Sequence, residues 1–461
     1  MSYPLSMVAH VMARTPPDDL LARFGFAGVG AFLFSTGFRI FPASGTSALA
    51  TITTFVIYGG AFLCWGFALI WRGPYRPWTQ SSLAIAAVLG LVASVSYGIL
   101  YEIPNYGTDV IALAHAGGEV LLDGVNPYSV DREDVLPILD SMNLRDGLFT
   151  QTLSGEPVPG VIYYPGLHVL AYTVFVAAGV PDLRWATLVF ELAALTVIWF
   201  AISPRSRWLI PTALLLEPYL MVIFTSGGVT DWLWVLPLSV AAVFLHKREH
   251  SWAGLWLGLA CAVKQQPWFV VPFMTIWIIQ QIRGKRENES SIPVLTTISS
   301  FLGMVGLGFL LPNLPFILWS PGDWAQGVLG PALLDLVPDG QGVTSLVNQG
   351  VLNLTRTQFG VMTLILITVL SAAFFVYFDR AKHMVWLLPP VVLFFAYRSL
   401  HSYFVFWLPV AAMWLDLEVT ERPRPNGQSD RTYDEATHEP SEPSRIRSVP
   451  SDSGSSPDGS P

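Results

Sequence analysis

Residues 106–128 read YGTDVIALAHAGGEVLLDGVNPY, and they place Asp109, His115, Glu119 and Asp123 on one helical stretch. Thr108 or Asp109 is suited to cap that helix, Glu119 and Asp123 lie four apart on one face, and DGVNPY closes it as a turn. By itself the pattern describes a water-compatible, carboxylate-rich helix broken by a glycine pair. Its surroundings decide the fold.

The chain has 461 residues, 52% hydrophobic and 13% charged, a balance that a soluble globule with an ordinary charged surface does not show. Apolar runs of roughly 18 to 24 residues, enough to cross a ~30 Å hydrocarbon core as helix, occupy 48–71, 80–100, 185–203, 231–245, 292–312, 358–378 and 401–416. Weaker or proline-broken runs lie at 22–42, 163–180, 207–224, 252–263, 267–281 and 383–397. The reading is an all-α polytopic membrane protein with about ten to thirteen transmembrane helices.

Two polar insertions interrupt these runs, at 101–162 and 313–357, and short amphipathic helices are expected inside them. The first holds ten Asp or Glu against two Arg, whereas WRGPYR (71–76), HKREH (246–250), RGKR (283–286) and DRAKH (379–383) are short and basic. The positive-inside rule then places the basic turns in the cytoplasm and both insertions outside. Parity strains in mid-chain, where one of 163–180, 185–203 and 207–224 would have to be re-entrant. Residues 418–461 hold nine acids, five Arg and many Pro and Ser, a composition expected to be a disordered cytoplasmic tail. The membrane domain is therefore 1–417. No signal peptide is evident at the N-terminus, and Cys64 and Cys261, both in apolar runs, support neither a disulfide framework nor a thiolate metal site.

Charged and polar side chains at the membrane boundary are costly unless they face a cavity or a partner, so they are the functional candidates. Asp109 is either a helix cap or a site carboxylate. The YYPG stretch, with Tyr163 and Tyr164, marks re-entry into the membrane, and TSGGVTDW brings Asp231 and Trp232 to the start of another apolar run. AGLWLGLACAVKQQPW sets small residues on a tightly packing helix that ends in Lys264 and Gln265. Lys264 is either a snorkelling helix-end residue or a phosphate partner. AYRSLHSYFVFWLP carries Arg398 and His401 three apart at the mouth of the last apolar helix, and GQGVTSLVNQG offers Ser345 and Asn348 either as hydroxyl-binding groups or as plain loop.

Taken in order over about residues 100–410, these segments resemble the GT-C superfamily of membrane glycosyltransferases, most closely glycosyltransferase family 87, whose members depend on polyprenol-phosphate mannose. The stretches that carry the resemblance are TDVIALAHAGGEVLLDGVNPY, YYPG, GGVTDW, AGLWLGLACAVKQQP, TSLVNQ and SLHSYFVFWLP. It implies a GT-C type fold and transfer of a hexose, mannose in the family, from a polyprenyl- or dolichyl-phosphate donor. The acceptor would be a hydroxyl of a glycolipid or glycan on the outer membrane face, with inversion at the sugar carbon. It implies Asp109 as the catalytic base, and Lys264, Arg398 and His401 as donor-phosphate ligands. Tyr128, Tyr163, Tyr164, Asp231, Trp232, Gln265, Ser345 and Asn348 would contact sugar or acceptor. No cofactor, divalent metal or nucleic-acid partner is expected. A secondary transporter and a non-enzymatic assembly subunit are the competing readings, and the halves show no internal repeat of the kind transporters carry.

Overall fold

The computed structural model describes residues 18–41, 48–71, 77–103, 105–142, 144, 147–158, 160–204, 206–207, 223–285 and 294–420. Most of the expected 207–224 run and the tail beyond 420 lie outside these residues. In chain order the helices are α1 (Asp18–Ile40), α2 (Ala48–Ile70), α3 (Pro77–Tyr97), α4 (Asp109–Leu122), α5 (Leu136–Ser141), α6 (Gly166–Ala177), α7 (Arg184–Ala201), α8 (Phe224–Gly227) and α9 (Trp232–His246). They continue with α10 (His250–Cys261), α11 (Val271–Lys285), α12 (Val294–Trp319) and α13 (Pro321–Leu333). After strand β1 (Asp339–Gly340) come α14 (Val343–Asn348), α15 (Arg356–Val376), α16 (Phe378–Ala381) and α17 (Leu388–Leu393). Strand β2 (Arg398–Ser399), α18 (Ser402–Val405) and α19 (Leu408–Thr420) complete the described chain.

Among the described residues the architecture is all-α apart from one two-residue parallel ladder. Five helical stretches among them are long and apolar enough to cross a membrane: Ala48–Ile70, Gln80–Glu102, Arg184–Ala201, Val294–Trp319 and Arg356–Val376. The shorter α6 and α9 are apolar as well. In α12 and α15 only 11% of the most apolar window is buried, so Leu295, Leu311 and Leu318, with Leu364, Ile365 and Val369, turn outward. A surface this apolar would aggregate in water and is at rest against lipid chains.

Inside the bundle, small residues set the helix spacing. A Cβ on Gly254 would meet the Phe301 carbonyl, one on Gly258 the Val305 carbonyl, and one on Gly308 the Leu255 carbonyl. The small-residue stretch of α10 therefore lies backbone to backbone against α12, the close approach such spacing permits. On α9, Trp232 and Trp234 are fully buried and pack on Phe406 and Trp407.

The 101–162 insertion departs from its sequence reading. α4 is not a solvated helix: Val110 to Gly118 and Val120 are buried, and only its last turn reaches solvent. Gly117 and Gly118 do not break it. Cβ atoms there would press on Ile162 Cδ1 at 2.6 Å and Val176 Cγ2 at 2.9 Å, so Gly118 lets α4 pack on α6 and Gly117 lets it pack on the segment before α6. The alanine-rich pattern is that of a buried face, and tertiary contact overrides the glycine penalty within a helix. At the other end of the chain, α19 continues to Thr420, past the expected boundary at 418, and Glu418 approaches His383 at 3.3 Å.

Candidate functional site

The start of α4 is stitched to the turn before α9. Gly107 N–H donates to the Gly227 carbonyl at 3.0 Å, and Thr108 Oγ1 donates to the Gly228 carbonyl at 2.7 Å. Gly228 has φ +90°, and a Cβ there would strike Ile111 Cγ2 at 2.5 Å, so the second glycine of TSGGVTDW is required by the fold. This juxtaposition brings Asp109 and Asp231, 122 positions apart in the chain, to one cavity.

The cavity holds about 160 Å³. An engineered cavity of about 150 Å³ accepts benzene, so the space suits one six-membered ring. Asp109, Tyr163, Tyr164, Asp231, Lys264, Gln265 and Arg398 all line it, as do Thr150 and Tyr403. Asp109 is the first residue of α4, after Thr108 in extended conformation. Its Oδ2 accepts from Thr150 N–H at 2.9 Å and from Thr150 Oγ1 at 2.7 Å. Both bonds fall on one oxygen, and Oδ1 has no partner among the described residues. Thr150 Oγ1 in turn accepts from Arg398 Nη1 at 3.2 Å, so one hydroxyl links the cation to the carboxylate.

Arg398 is held by the second insertion. Asp339 and Gly340 pair in parallel with Arg398 and Ser399, Val343 N–H donates to the Phe394 carbonyl at 2.9 Å, and Thr344 Oγ1 donates to the Ala396 carbonyl at 2.9 Å. Asp339 Oδ2 lies 3.8 Å from Arg398 Nη2, a long and partly solvated contact that leaves the guanidinium largely available. Arg398 Nε is buried without a hydrogen-bond partner.

Lys264 is differently placed. It follows α10 in a tight turn and donates to Asp231 Oδ2 at 2.8 Å, while Trp234 Nε1 donates to Asp231 Oδ1 at 2.7 Å. Lys264 is 4% exposed and Asp231 not at all, so each requires the other. The ammonium also sits 5.1 Å from the centre of the Tyr164 ring. Asp231 is thus the anchor of Lys264, each of its oxygens already accepting one hydrogen bond at the cavity wall. Gln265 spends its amide protons on the carbonyls of Tyr163 and Val328, at 2.9 and 2.8 Å, and acts as a clamp.

Five expected contacts fall outside the cavity lining. His401 is exposed and sets its ring edge-on against Phe224. Trp232 is fully buried in the bundle. Tyr128 is buried by Phe316 and donates to the Tyr164 carbonyl at 2.6 Å, so it shapes the wall from behind. Burial pushes its phenol well above the ordinary value, which keeps it a neutral donor. Ser345 Oγ donates to the Gly342 carbonyl at 2.8 Å and Asn348 is exposed, since α14 serves to brace the Arg398 strand. Thr150, Ser402 and Tyr403 are polar cavity residues that sequence reasoning missed, and a lone Thr inside a polar loop carries no signal of such a role.

Among the described residues no group of three or more His, Cys, Asp or Glu converges as a metal donor set. Glu119 instead faces His115 at 3.5 Å, and Asp123 ends α4 at the surface. No family model matches the chain, and neither curated proteins nor solved structures yield a match.

Proposed function

We propose that the protein is a membrane hexosyltransferase of GT-C type. It would move a hexose, mannose by resemblance, from a polyprenyl-phosphate carrier to a hydroxyl of a lipid- or glycan-linked acceptor, on the outer face of the membrane. The observation that carries this reading is one cavity joining a carboxylate with an uncommitted oxygen to two fixed cations, within a chain of lipid-facing helices.

Asp109 Oδ1 takes the proton of the acceptor hydroxyl as that oxygen attacks the anomeric carbon. The bond from that carbon to the phosphate oxygen breaks on the opposite face, its electron pair leaves with the lipid phosphate, and the configuration inverts. Charge grows on the leaving phosphate, and cations already fixed in a poorly solvated site stabilise it without reorganising. Arg398 is the principal partner, because it keeps donors uncommitted. Lys264 contributes less, its charge being largely balanced by Asp231. Thr150 holds Oδ2, which fixes the carboxylate plane and leaves Oδ1 to the acceptor.

The test is sugar transfer from labelled polyprenyl-phosphate mannose in membranes containing the wild type or Asp109→Asn, with membrane glycolipid extract as acceptor. Asn keeps an oxygen for the Thr150 bonds but cannot take a proton, so turnover should fall by about 10² to 10⁴ at unchanged expression. Equal turnover in both proteins sinks Asp109 as base.

A further inference from the structure

A second cavity, of about 450 Å³, is lined by Arg248, Gln280, Gln281, Phe375, Asp379 and Lys382, among others. It lies at the other end of the helices that frame the first. α9 runs from Asp231 to its end just before Arg248, and α15 runs from Arg356 to Val376. Arg356 donates to the carbonyls of Ala332 and Leu333, beside cavity-lining Pro331 and Leu334, whereas Val376 lines the second cavity. At 1.5 Å per residue α15 separates the two by about 30 Å, the thickness of a hydrocarbon core.

Three basic turns, HKREH, RGKR and DRAKH, converge here and contribute Arg248, Gly284 and Lys382. Neither the Arg248 guanidinium nor the Lys382 ammonium has an ion-pair or hydrogen-bond partner among the described residues. Arg283 adds a third cation, stacked 5.3 Å from the Phe375 ring centre. Gln280 is committed to the Phe375 carbonyl at 2.8 Å, and Asp379 is the one acidic group in the lining.

The backbone supplies an independent sign. Five helix ends close with the same pair of hydrogen bonds, in which the left-handed residue and its successor donate back to the last turn: Gly124, Gly179, Gly228, Gly350 and Arg248. Four use glycine, the residue this geometry favours. Arg248, at φ +62°, is the one non-glycine with positive φ among the described residues. An arginine stands where glycine would be less strained, and its side chain lines the basic cavity.

We propose that this cavity binds the phosphodiester headgroup of an anionic phospholipid, in the leaflet opposite the Asp109 cavity. Arg248 and Lys382 supply charge-assisted bonds to the phosphate. Phe375, Val376 and the outward apolar face of α15 supply the contact that acyl chains need and free phosphate does not use. This inference does not depend on the transfer reaction.

The test uses delipidated full-length protein in detergent, with phosphatidylglycerol, phosphatidylcholine and sodium phosphate as probes, read by native mass spectrometry and thermal unfolding. The wild type should hold phosphatidylglycerol in preference to phosphatidylcholine and gain thermal stability with it. Arg248→Gly and Lys382→Gln should each weaken that binding by about tenfold. Arg248→Gly relieves the left-handed strain, so its lipid-free unfolding temperature should be no lower than that of the wild type, which separates lost binding from misfolding. Equal binding of the two lipids, or variants that bind as the wild type does, overturns the proposal. Protection by sodium phosphate alone, with nothing added by phosphatidylglycerol, assigns the cavity to free phosphate and overturns the lipid reading.

Discussion

Helix α9 carries charge at both ends, in opposite ways. At its start Asp231 and Lys264 are buried and bonded to each other, with Trp234 completing the carboxylate's partners. Just past its end Arg248 is exposed and strained, and its guanidinium has no partner among the described residues. The difference follows from solvation: a charge in the bundle interior is tolerated only with its counter-charge and hydrogen bonds in place, whereas one at the surface is hydrated and can wait for a ligand. The same contrast sorts the cations of the first cavity. Lys264 arrives in a short buried pair, whereas Arg398, on a two-residue strand nearer the surface, has only the long, partly solvated contact to Asp339 as counter-charge.

The comparison breaks most visibly at Lys264. Lys264→Met leaves a fully buried carboxylate without its counter-charge and should cost about 3–5 kcal/mol, measured by denaturant unfolding in mixed micelles. Asp231→Leu with Lys264→Met removes both charges and should recover much of that loss. A single variant as stable as the wild type would mean that water reaches the pair.

Thr150→Val probes the softer side of the same cavity. It removes the hydroxyl that joins Arg398 to Asp109 and keeps the backbone bond, so stability should change by only about 1 kcal/mol. With transfer as proposed, kcat should fall by about tenfold at a nearly unchanged KM, and Thr150→Ser should restore it. A change in KM alone would make Thr150 a binding residue.

The smallest effect is expected at His115 on α4. Its ring accepts or shares a proton with Tyr106 Oη at 2.9 Å, and burial lowers its pKa below the ordinary 6.5, against the opposing pull of Glu119 and Asp182. A lowered folded pKa means that the unfolded chain binds the proton more readily. The stabilisation is therefore complete above about pH 6.5 and declines as pH falls through the folded value. Unfolding of the wild type should show this acid slope, and His115→Gln should flatten it.

Much of the fold was legible because membrane insertion writes itself into composition. Runs 48–71 and 358–378 reappear as α2 and α15 with ends shifted by one or two residues, and 292–312 reappears as α12, which continues to Trp319 into the expected 313–357 insertion. The 101–162 insertion was recognised by its charge, but α4 was misjudged, since alanines and glycines fit a solvated helix and a buried one equally well. In the site, seven of the candidate residues meet at one cavity, because rare polar groups in an apolar chain gather where burial can be compensated. Trp232, Tyr128, Ser345, Asn348 and His401 lie in the stretches that carry the family resemblance, but neighbours along a helix or turn point in different directions.

By itself the sequence determined an α-helical membrane protein and a short roster of polar groups, since hydropathy and charge are properties of residues in order. Tertiary structure alone decided which of them act together. The Asp109–Thr150–Arg398 chain spans 290 positions, and the Asp231–Lys264 pair joins two helices. Such contacts depend on packing geometry, on glycines that let α4 meet α6 and α10 meet α12, and on a two-residue ladder that fixes one arginine. None of these is a property of any residue taken alone.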